Sequence, residues 1–265
     1  MEAGPPIDET PLCDTRRQID AIDVQVLELL NRRAVLAQEI AALKHEGEGA
    51  PVFYRPEREA EIFARLHARN PGPLDGDAVG VIFREVISAC RALEHRCRVV
   101  LGGSAPQLPA AALRQFGSSI DLQVAADAEA ACTAVQAGKA DYAVIHDDAA
   151  YLLPEALRVL GEQAVAGAAA CLVIGCQFTR PTGSDRTRVR LQLEAAGGAA
   201  AVVAGFEREG VEVLSADVVE GGHVLRLQLR GHPEDAPVAA ALGALAAPVV
   251  ALRVDGGYPD PGERR

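Results

Sequence analysis

Apolar residues recur every three or four positions near the N-terminus, and this pattern constrains the fold of the 265-residue chain more than any other. The recurring positions are branched and apolar, with Arg33 alone in their middle; they are Ile19, Ile22, Val26, Leu29, Leu36, Ile40 and Leu43. Such spacing is typical of a helix packed on other helices. A capping box at Thr15–Gln18 predicts its start, and the pattern ends near Lys44, so the helix is about 45 Å long. We expect it to pair with a second copy of the chain.

Arg33 lies in the predicted seam with no acidic residue one turn away in either direction. A guanidinium buried without a counter-charge costs several kcal/mol, so we expect an anion from outside the helix, either a carboxylate on a neighbouring helix or an acidic ligand. Lys44 follows on the same face, about 16 Å away, and it also has no acid in the preceding turn. Two such cations favour a ligand with more than one negative charge. Arg16 is about 100° away around this helix and could join them from the antiparallel helix of a partner chain.

The composition argues against several classes of protein. The net charge of −11 argues against nucleic acid and against anionic membrane surfaces as partners. No apolar run of about 18 residues is present, and the acidic N-terminus has neither the basic region nor the apolar core of a signal peptide, so we expect a cytoplasmic protein. The six cysteines form no C-x-x-C pair and have no histidine at metal-ligand spacing. They are predicted to be reduced core thiols, without a metal or a cofactor.

Three segments of different pattern follow one another along the chain. Residues 10–95 predict helices alone, with Pro56 in the first turn of the second helix and the third helix ending near Glu94. Residues 97–177 alternate short strands and helices, as in a small α/β lobe. Residues 185–258 follow a βαββαβ order, which predicts a ferredoxin-like domain with both helices on one face of an antiparallel sheet. The predicted fold class is therefore a multidomain protein with an all-α part, an α/β lobe and a ferredoxin-like domain.

Three motifs in the helical segment carry a family resemblance; they are "TRRQIDAIDVQVLELLNRRAVLAQEIAALK", "FYRPEREAEI" and "IFREVISACRALE". Together they resemble the AroQ-type chorismate mutase domain at the N-terminus of bifunctional chorismate mutase–prephenate dehydratases. The resemblance covers nearly all of residues 12–95. It implies an intertwined helical homodimer without a cofactor. It also implies the substrate chorismate, a dicarboxylate, and its pericyclic rearrangement to prephenate.

The resemblance further implies roles for the three cations of the first helix. Arg16 would enter the site of the partner chain, and Arg33 would bind a substrate carboxylate. Lys44 would contact both a carboxylate and the ether oxygen of the breaking bond. A catalyst of this rearrangement must hold one reactive conformer and stabilise the charge that develops on the ether oxygen, which needs fixed cations rather than a nucleophile or a metal.

Five more residues match the site of the family by position. Arg58 and Glu59 would complete the pocket, with Glu59 taking the substrate hydroxyl. Glu94 would bond the ether oxygen from the opposite side. Because Glu94 can donate only when protonated, either its protonated form is stabilised in the site or the activity improves in mild acid. Arg55 and Cys90 belong to the same implied pocket, at positions where some relatives have Asp and Ser.

The remaining segments resemble the other parts of the bifunctional enzyme, with losses. The stretch "GKADYAVIHDD" resembles a dehydratase stretch but does not continue into the expected E-N-S/T-x-x-G motif, and "AAAC" (168–171) replaces a Thr-Arg-Phe element. Roughly half of a two-lobed dehydratase domain is missing, which predicts no dehydratase activity and no catalytic role for His146, Asp147 and Asp148. The C-terminal segment resembles a regulatory ACT domain whose phenylalanine-binding signatures are eroded to "GGAA" and "ADVVE". We therefore do not expect phenylalanine feedback in the usual mode, although a small-molecule effector could bind there.

Two other hypotheses stay open. The same cationic pocket would suit a mutase or lyase that acts on a related acid, such as isochorismate or aminodeoxychorismate. Alternatively, the chain is a non-catalytic ACT-type sensor whose helical segment only dimerises or binds a partner enzyme. The cations of the predicted pocket argue against the sensor hypothesis, because a helix that only dimerises does not need uncompensated charge in its buried seam.

Overall fold

The chain divides into two compact units, Met1–Pro51 and Val52–Arg265. The computed structural model describes residues 10–45, 52–164, 170–195, 197–245 and 248–261. The first predicted helix forms a unit of its own, whereas the second and third helices belong to the larger unit together with both sheets. The predicted domains, 10–95, 97–177 and 185–258, do not follow this division and stay a prediction.

The described part of the smaller unit is one α-helix, α1 (Thr10–His45), without a break over 36 residues, which confirms the long helix. The predicted capping box is wrong, because Thr15 lies inside the helix and its hydroxyl donates to the Pro11 carbonyl at 2.9 Å. The seam residues of α1 are exposed, Leu29 by 64% and Leu43 by 68%. No helix in the described part of the chain, α1 included, is long and apolar enough to cross a membrane.

Two shorter helices open the larger unit, α2 (Pro56–Arg69) and α3 (Gly76–Glu94). Pro56 occupies the first turn of α2, where its missing N–H removes no intrahelical hydrogen bond, and this confirms the sequence prediction. Asp75 caps α3, since its side chain accepts a 2.6 Å hydrogen bond from the backbone N–H three residues on. The predicted end of the third helix near Glu94 is also confirmed.

A five-stranded sheet with two helices forms the α/β lobe that the sequence predicted. Its strands are β1 (Arg98–Gly102), β2 (Asp121–Ala125), β3 (Tyr142–His146), β4 (Arg158–Gln163) and β5 (Cys171–Gly175). The helices are α4 (Gln107–Phe116) and α5 (Ala128–Gln136). The strand order is β2-β1-β3-β5-β4, with the first three strands parallel and β5 antiparallel to both of its neighbours. The sequence interpretation missed α4 and β4, because Pro109 and Gly161 interrupt their patterns.

The last segment forms a four-stranded antiparallel sheet with two helices, in the predicted βαββαβ order. The elements are β6 (Asp185–Leu193), α6 (Ala199–Arg208), β7 (Val213–Val219), β8 (Val224–Arg230), α7 (Ala236–Gly243) and β9 (Val249–Pro259). The strand order is β7-β8-β6-β9. Both helices cover the same face of this sheet, since Phe206 of α6 and Val238 of α7 share one core with Val189 and Leu227 of the strands.

The other face of the C-terminal sheet carries arginines and packs on the α/β lobe. Arg188 of β6 forms a bidentate ion pair, at 2.6 and 2.8 Å, with Asp147. Asp147 is the residue that directly follows β3. Strand β9 is longer than the sequence predicted and runs past β4. It can do so because Gly256 has no side chain, whereas a Cβ at this position would clash with the backbone of Val159. The lobe and the C-terminal domain are therefore joined by charge pairs and by close backbone contact.

Four of the six cysteines lie in the cores, as predicted; they are Cys90, Cys97, Cys132 and Cys171. Burial raises the pKa of the Cys97 and Cys132 thiols to about 11, so both stay protonated at neutral pH. Cys13 and Cys176 are exposed, and for these two the prediction of core thiols is wrong. Their positions at the start of α1 and just after β5 place them outside both sheets' cores.

Asp141 joins the end of α3 to strand β1. Its carboxylate accepts hydrogen bonds from the backbone N–H and from Nη2 of Arg98, both at 2.7 Å, and it lies 2.8 Å from Nε2 of His95. Burial raises the pKa of this carboxyl, but the hydrogen bonds from Arg98, together with His95, outweigh burial and lower the pKa overall. The folded state therefore favours the ionised form of Asp141.

Replacing Asp141 by Asn should lower the free energy of unfolding by about 1.5–3 kcal/mol at neutral pH, since bonds to a charged group are lost. A pKa that is lower in the folded state makes this stabilisation complete above the ordinary Asp range, and it disappears as the pH falls through and below that range. Urea unfolding at neutral and acid pH should show wild type and Asp141→Asn converging in acid. The matched control is Asp121→Asn, whose exposed carboxylate lies 3.7 Å from Arg96 and should matter little at either pH. A difference that persists in acid would contradict this account.

Candidate functional site

The three predicted cations of α1 lie along a single continuous helix. Arg33 is half-buried in the apolar seam, and no hydrogen bond or ion pair to it is found among the residues that the structure describes. Arg16 is exposed, two turns into the helix. The backbone of Lys44 lies in the last turn of α1, and its side chain falls outside the described part. Because α1 has no break, the backbone positions 33 and 44 lie on the same side of the helix, about 16 Å apart along its axis.

Glu59 of α2 is the most tightly held of the predicted site residues. Its side chain is buried, and its two carboxylate oxygens bind two different arginines of α3. Oε1 accepts a hydrogen bond from Nη1 of Arg91 at 2.5 Å, and Oε2 accepts one from Nη1 of Arg84. Arg91 is only 5% exposed. Charge-assisted bonds therefore hold α2 and α3 together from within.

Both arginines also donate to the last carbonyls of α4. Arg84 Nη1 bonds the Gln115 carbonyl at 2.9 Å, and Arg91 Nη2 bonds the Phe116 carbonyl. The final carbonyls of a helix lack intrahelical partners and carry partial negative charge, so they suit cations. Burial lowers the pKa of the Arg91 guanidinium, but the nearby Glu59 carboxylate contributes to a net rise. Arg91 is therefore charged, and it is fixed by α2 on one side and by α4 on the other.

Tyr54, just before α2, connects this cluster to the core of the α/β lobe. Its ring packs against those of Phe116 and Tyr142, with centroids 4.7 and 5.3 Å away, and burial raises the pKa of its hydroxyl well above the usual value. The hydroxyl accepts a hydrogen bond from Gln115 Nε2, and Gln115 Oε1 accepts one from Gln163 Nε2 at 2.5 Å. Polar contacts thus run without a break from the arginines of α3 to strand β4.

The next residue on β4 continues these contacts to the C-terminal sheet. Glu162 Oε2 accepts hydrogen bonds from Gln228 Nε2 at 2.6 Å and from the Tyr258 hydroxyl at 2.7 Å. Gln228 lies on β8 and Tyr258 on β9. The C-terminal domain is therefore connected to Glu59 and its two arginines through a series of hydrogen bonds and the peptide bond between Glu162 and Gln163.

The other predicted site residues of α2 and α3 have different surroundings. Arg58 is exposed and pairs with Glu61 at 2.7 Å. Arg55 precedes the first turn of α2, 3.6 Å from the carboxylate two residues on. Cys90 is buried in α3, and Glu94 is the partly exposed last residue of that helix. The substrate roles of all these residues stay predictions.

The sequence interpretation missed Arg84 and Arg91. They lie seven residues apart on α3, so both project from one face, two turns apart, and the same face carries the buried Ile87. An arginine pair on an otherwise apolar face was the available signal. Which acid meets the pair depends on the packing of α2 against α3, and the spacing within α3 cannot show this.

These groups can bind an anion and accept a hydroxyl hydrogen. On α1 a guanidinium is available in an apolar seam, and on α2 a carboxylate is held in a fixed orientation by two arginines. Within the described ranges, no three His, Cys, Asp or Glu side chains are grouped so that they could hold a metal ion. Asp147, which follows β3, is bound by Arg188 and serves the contact between the lobe and the C-terminal sheet.

Residues 15–95, the helical segment, match the family model of chorismate mutase type II. The curated relatives of the chain are bifunctional chorismate mutase/prephenate dehydratases. The protein of Pseudomonas aeruginosa is 40% identical over 142 residues, which cover 52% of this chain and 39% of the relative. The protein of Neisseria gonorrhoeae is 38% identical over 139 residues, 52% of this chain and 37% of the relative. The chain thus matches well under half of the length of each relative.

Solved structures resemble more than half of the chain in fold. A prephenate dehydratase from Arthrobacter aurescens, in complex with L-Phe, superposes with a TM-score of 0.52 and 16% identity, over 61% of this chain and 89% of that chain. GqqA, described as a novel type of quorum quenching acylase, superposes with a TM-score of 0.51 and 21% identity, over 61% and 94%. At these identities the likeness concerns the fold alone. It confirms α/β sheet domains after a helical N-terminal part.

Replacing Glu59 by Gln should lower the free energy of unfolding by about 3–5 kcal/mol, because the buried Arg91 and the half-buried Arg84 would lose their carboxylate. Urea unfolding of the full chain measures the change. The matched control is Glu61→Gln on the same helix, where an exposed ion pair with Arg58 is lost and little change is expected. If both substitutions had the same small effect, the buried cluster would not stabilise the packing of α2 on α3.

Proposed function

We propose that this protein is a chorismate mutase that converts chorismate to prephenate as a homodimer. The observation that carries the proposal is the family match over residues 15–95, which includes every predicted site residue. Arg33, half-buried and without an acidic partner among the described residues, suits a substrate carboxylate. Lys44 would bind a carboxylate and the ether oxygen of the breaking bond. Removing such a donor from a developing oxyanion costs about 2.7–4 kcal/mol of transition-state stabilisation.

The exposed seam of α1 supports the homodimer. Its apolar side chains stand in water over most of the length of the helix, and an exposed stripe of this kind marks an interaction surface. A second copy offers the same seam, and two-fold pairing of antiparallel helices covers both at once. In that arrangement the partner's Arg16 would approach Arg33 and complete the cationic site.

We further propose that the α/β lobe has no dehydratase activity. Asp147, the acid nearest to the end of β3, is neutralised by Arg188 and holds the C-terminal sheet. Of the four residues that replace the expected Thr-Arg-Phe element (168–171), the first two lie outside the described residues. The C-terminal βαββαβ domain would be ACT-like and could bind a small effector, though not phenylalanine in the usual mode, since the expected signatures are eroded.

An NMR time course of chorismate with the purified chain tests both parts of the proposal. Prephenate should accumulate, and phenylpyruvate should not exceed its level in an enzyme-free control. Phenylpyruvate above that control would contradict the inactive lobe while leaving the mutase intact. Unchanged chorismate would contradict the mutase and would favour a related acid, such as isochorismate, or the non-catalytic sensor.

Mixed dimers test whether two chains share one site. Arg16→Leu and Arg33→Leu should each be inactive alone, and Arg33→Leu should also be more stable because a guanidinium leaves the apolar seam. Refolding the two variants together should restore activity, since a mixed dimer has one site with both arginines. At equal amounts, about a quarter of all sites are then intact. Two copies of the same variant refolded together are the control, and an inactive mixture would contradict the shared site.

A further inference from the structure

We propose that strand β2 of the α/β lobe pairs with β2 of a second copy of the chain, so that the two sheets continue into one. The surface is the outer side of residues 121–125, which we call the β2 edge. The proposal concerns the lobe alone and does not rest on the proposed function. Nothing in the family match or in the names of the relatives assigns a partner to this edge.

The β2 edge presents backbone groups that the sheet itself does not use. β2 is the outermost strand, and no strand in the described ranges pairs with its far side. The backbone N–H of Asp121 donates to the Cys97 carbonyl at 2.9 Å, so the backbone groups at 121, 123 and 125 point toward β1. Those of Leu122 and Val124 therefore point outward. Such an edge is a ready template for another strand.

The side chains of the β2 edge also favour pairing. Leu122 is 39% exposed and Val124 is 61% exposed, although both are apolar. Proteins usually protect an edge strand with lysine, proline or a bulge. The strand, DLQVA, contains neither of these residues, and its register with β1 runs without a shift. Its one charged residue, Asp121, stands at its start. The edge is therefore unprotected against association.

The sequence of β2 identifies the partner as a second copy, because it complements itself about a two-fold axis at Gln123. In an antiparallel pair centred there, Leu122 lies opposite the partner's Val124, which is a stabilising apolar pair and occurs twice. Asp121 lies opposite the partner's Ala125, so the two carboxylates stay apart. Parallel pairing in register would instead place the two Asp121 carboxylates side by side, which is destabilising.

The same register satisfies the outward backbone groups. Opposite residues of an antiparallel pair alternate between hydrogen-bonded and non-hydrogen-bonded positions. Leu122 and Val124 carry the outward groups, so they take the hydrogen-bonded positions. Gln123 then faces the partner's Gln123 at a non-hydrogen-bonded position, with Cα atoms about 4.5 Å apart. A shift by one residue would put outward groups opposite groups that are already bound to β1.

Disulfide cross-linking of the full chain tests this register. Cys13→Ser and Cys176→Ser first remove the exposed thiols. In that background Gln123→Cys brings two thiols within the range of a disulfide. Oxidation with copper phenanthroline and oxygen should give a two-chain species that a reductant reverses.

The matched control is Leu122→Cys in the same background. Its two copies lie diagonally across the axis, beyond the distance that a disulfide spans, so it should cross-link little. If Gln123→Cys gives no cross-linked species, or if both variants cross-link equally, the pairing is overturned.

Light scattering over a concentration series tests whether the β2 edge drives association. Val124→Lys places a charge in the pair and should weaken the association by about tenfold or more. Val124→Thr keeps the β-branched shape and the backbone N–H, so it should associate like wild type. Circular dichroism of each variant checks that the lobe is folded.

The masses also separate this contact from the homodimer proposed through α1. If both contacts form, wild type should reach four chains or more, and Val124→Lys should stop at two. If α1 does not pair, the corresponding species are two chains and one. Equal masses for wild type and Val124→Lys at every concentration would overturn the β2 pairing and leave the proposed function standing.

Discussion

The buried carboxylate of Glu59 holds two guanidinium groups, and the placement of α2 and α3 on the α/β lobe depends on this interaction. Arg91 is almost completely buried, so its charge would be very costly without an acid beside it. The same arginines reach the carbonyl end of α4, which couples the helix pair to the lobe. One acid therefore determines the packing of three helices. It is also a predicted ligand of the substrate, so stability and substrate binding would share a residue.

Arginine side chains also stabilise the contact between the α/β lobe and the C-terminal sheet. Arg188 binds Asp147, and Arg253 donates to the carbonyls of Leu153 and Pro154 at 2.6 and 2.7 Å. Long side chains with planar, multi-donor ends can cover apolar surface and still satisfy buried carbonyls. Through these contacts the C-terminal sheet packs on the α/β lobe. The ion pair with Arg188 gives Asp147 a structural role.

The helix α1 differs from the larger unit, where arginines are paired with acids of the same unit. Its apolar seam is exposed, and Arg33 lies in it without a partner in the described chain. In the larger unit Glu59 is paired with two arginines of the same unit, whereas α1 has an exposed apolar seam and a cation without an acidic partner among the described residues. The proposed homodimer and the proposed dianionic substrate would satisfy these two requirements.

The sequence by itself determined the features that depend on periodicity and on turn chemistry. The long first helix, the restart at Pro56, the end of α3 and the βαββαβ order could all be predicted, because neighbours within one element specify them. The start of α1, helix α4, strand β4 and the full length of β9 could not, because the local signals there were misleading: a capping motif inside α1, Pro109 in α4, Gly161 in β4 and the glycines of β9. The same limit applies to the site. Spacing identified Arg33 and Lys44 as cations without local acids, but only the packing of α2, α3 and α4 decided that Glu59 faces Arg84 and Arg91, since a buried ion pair joins residues that are distant in sequence.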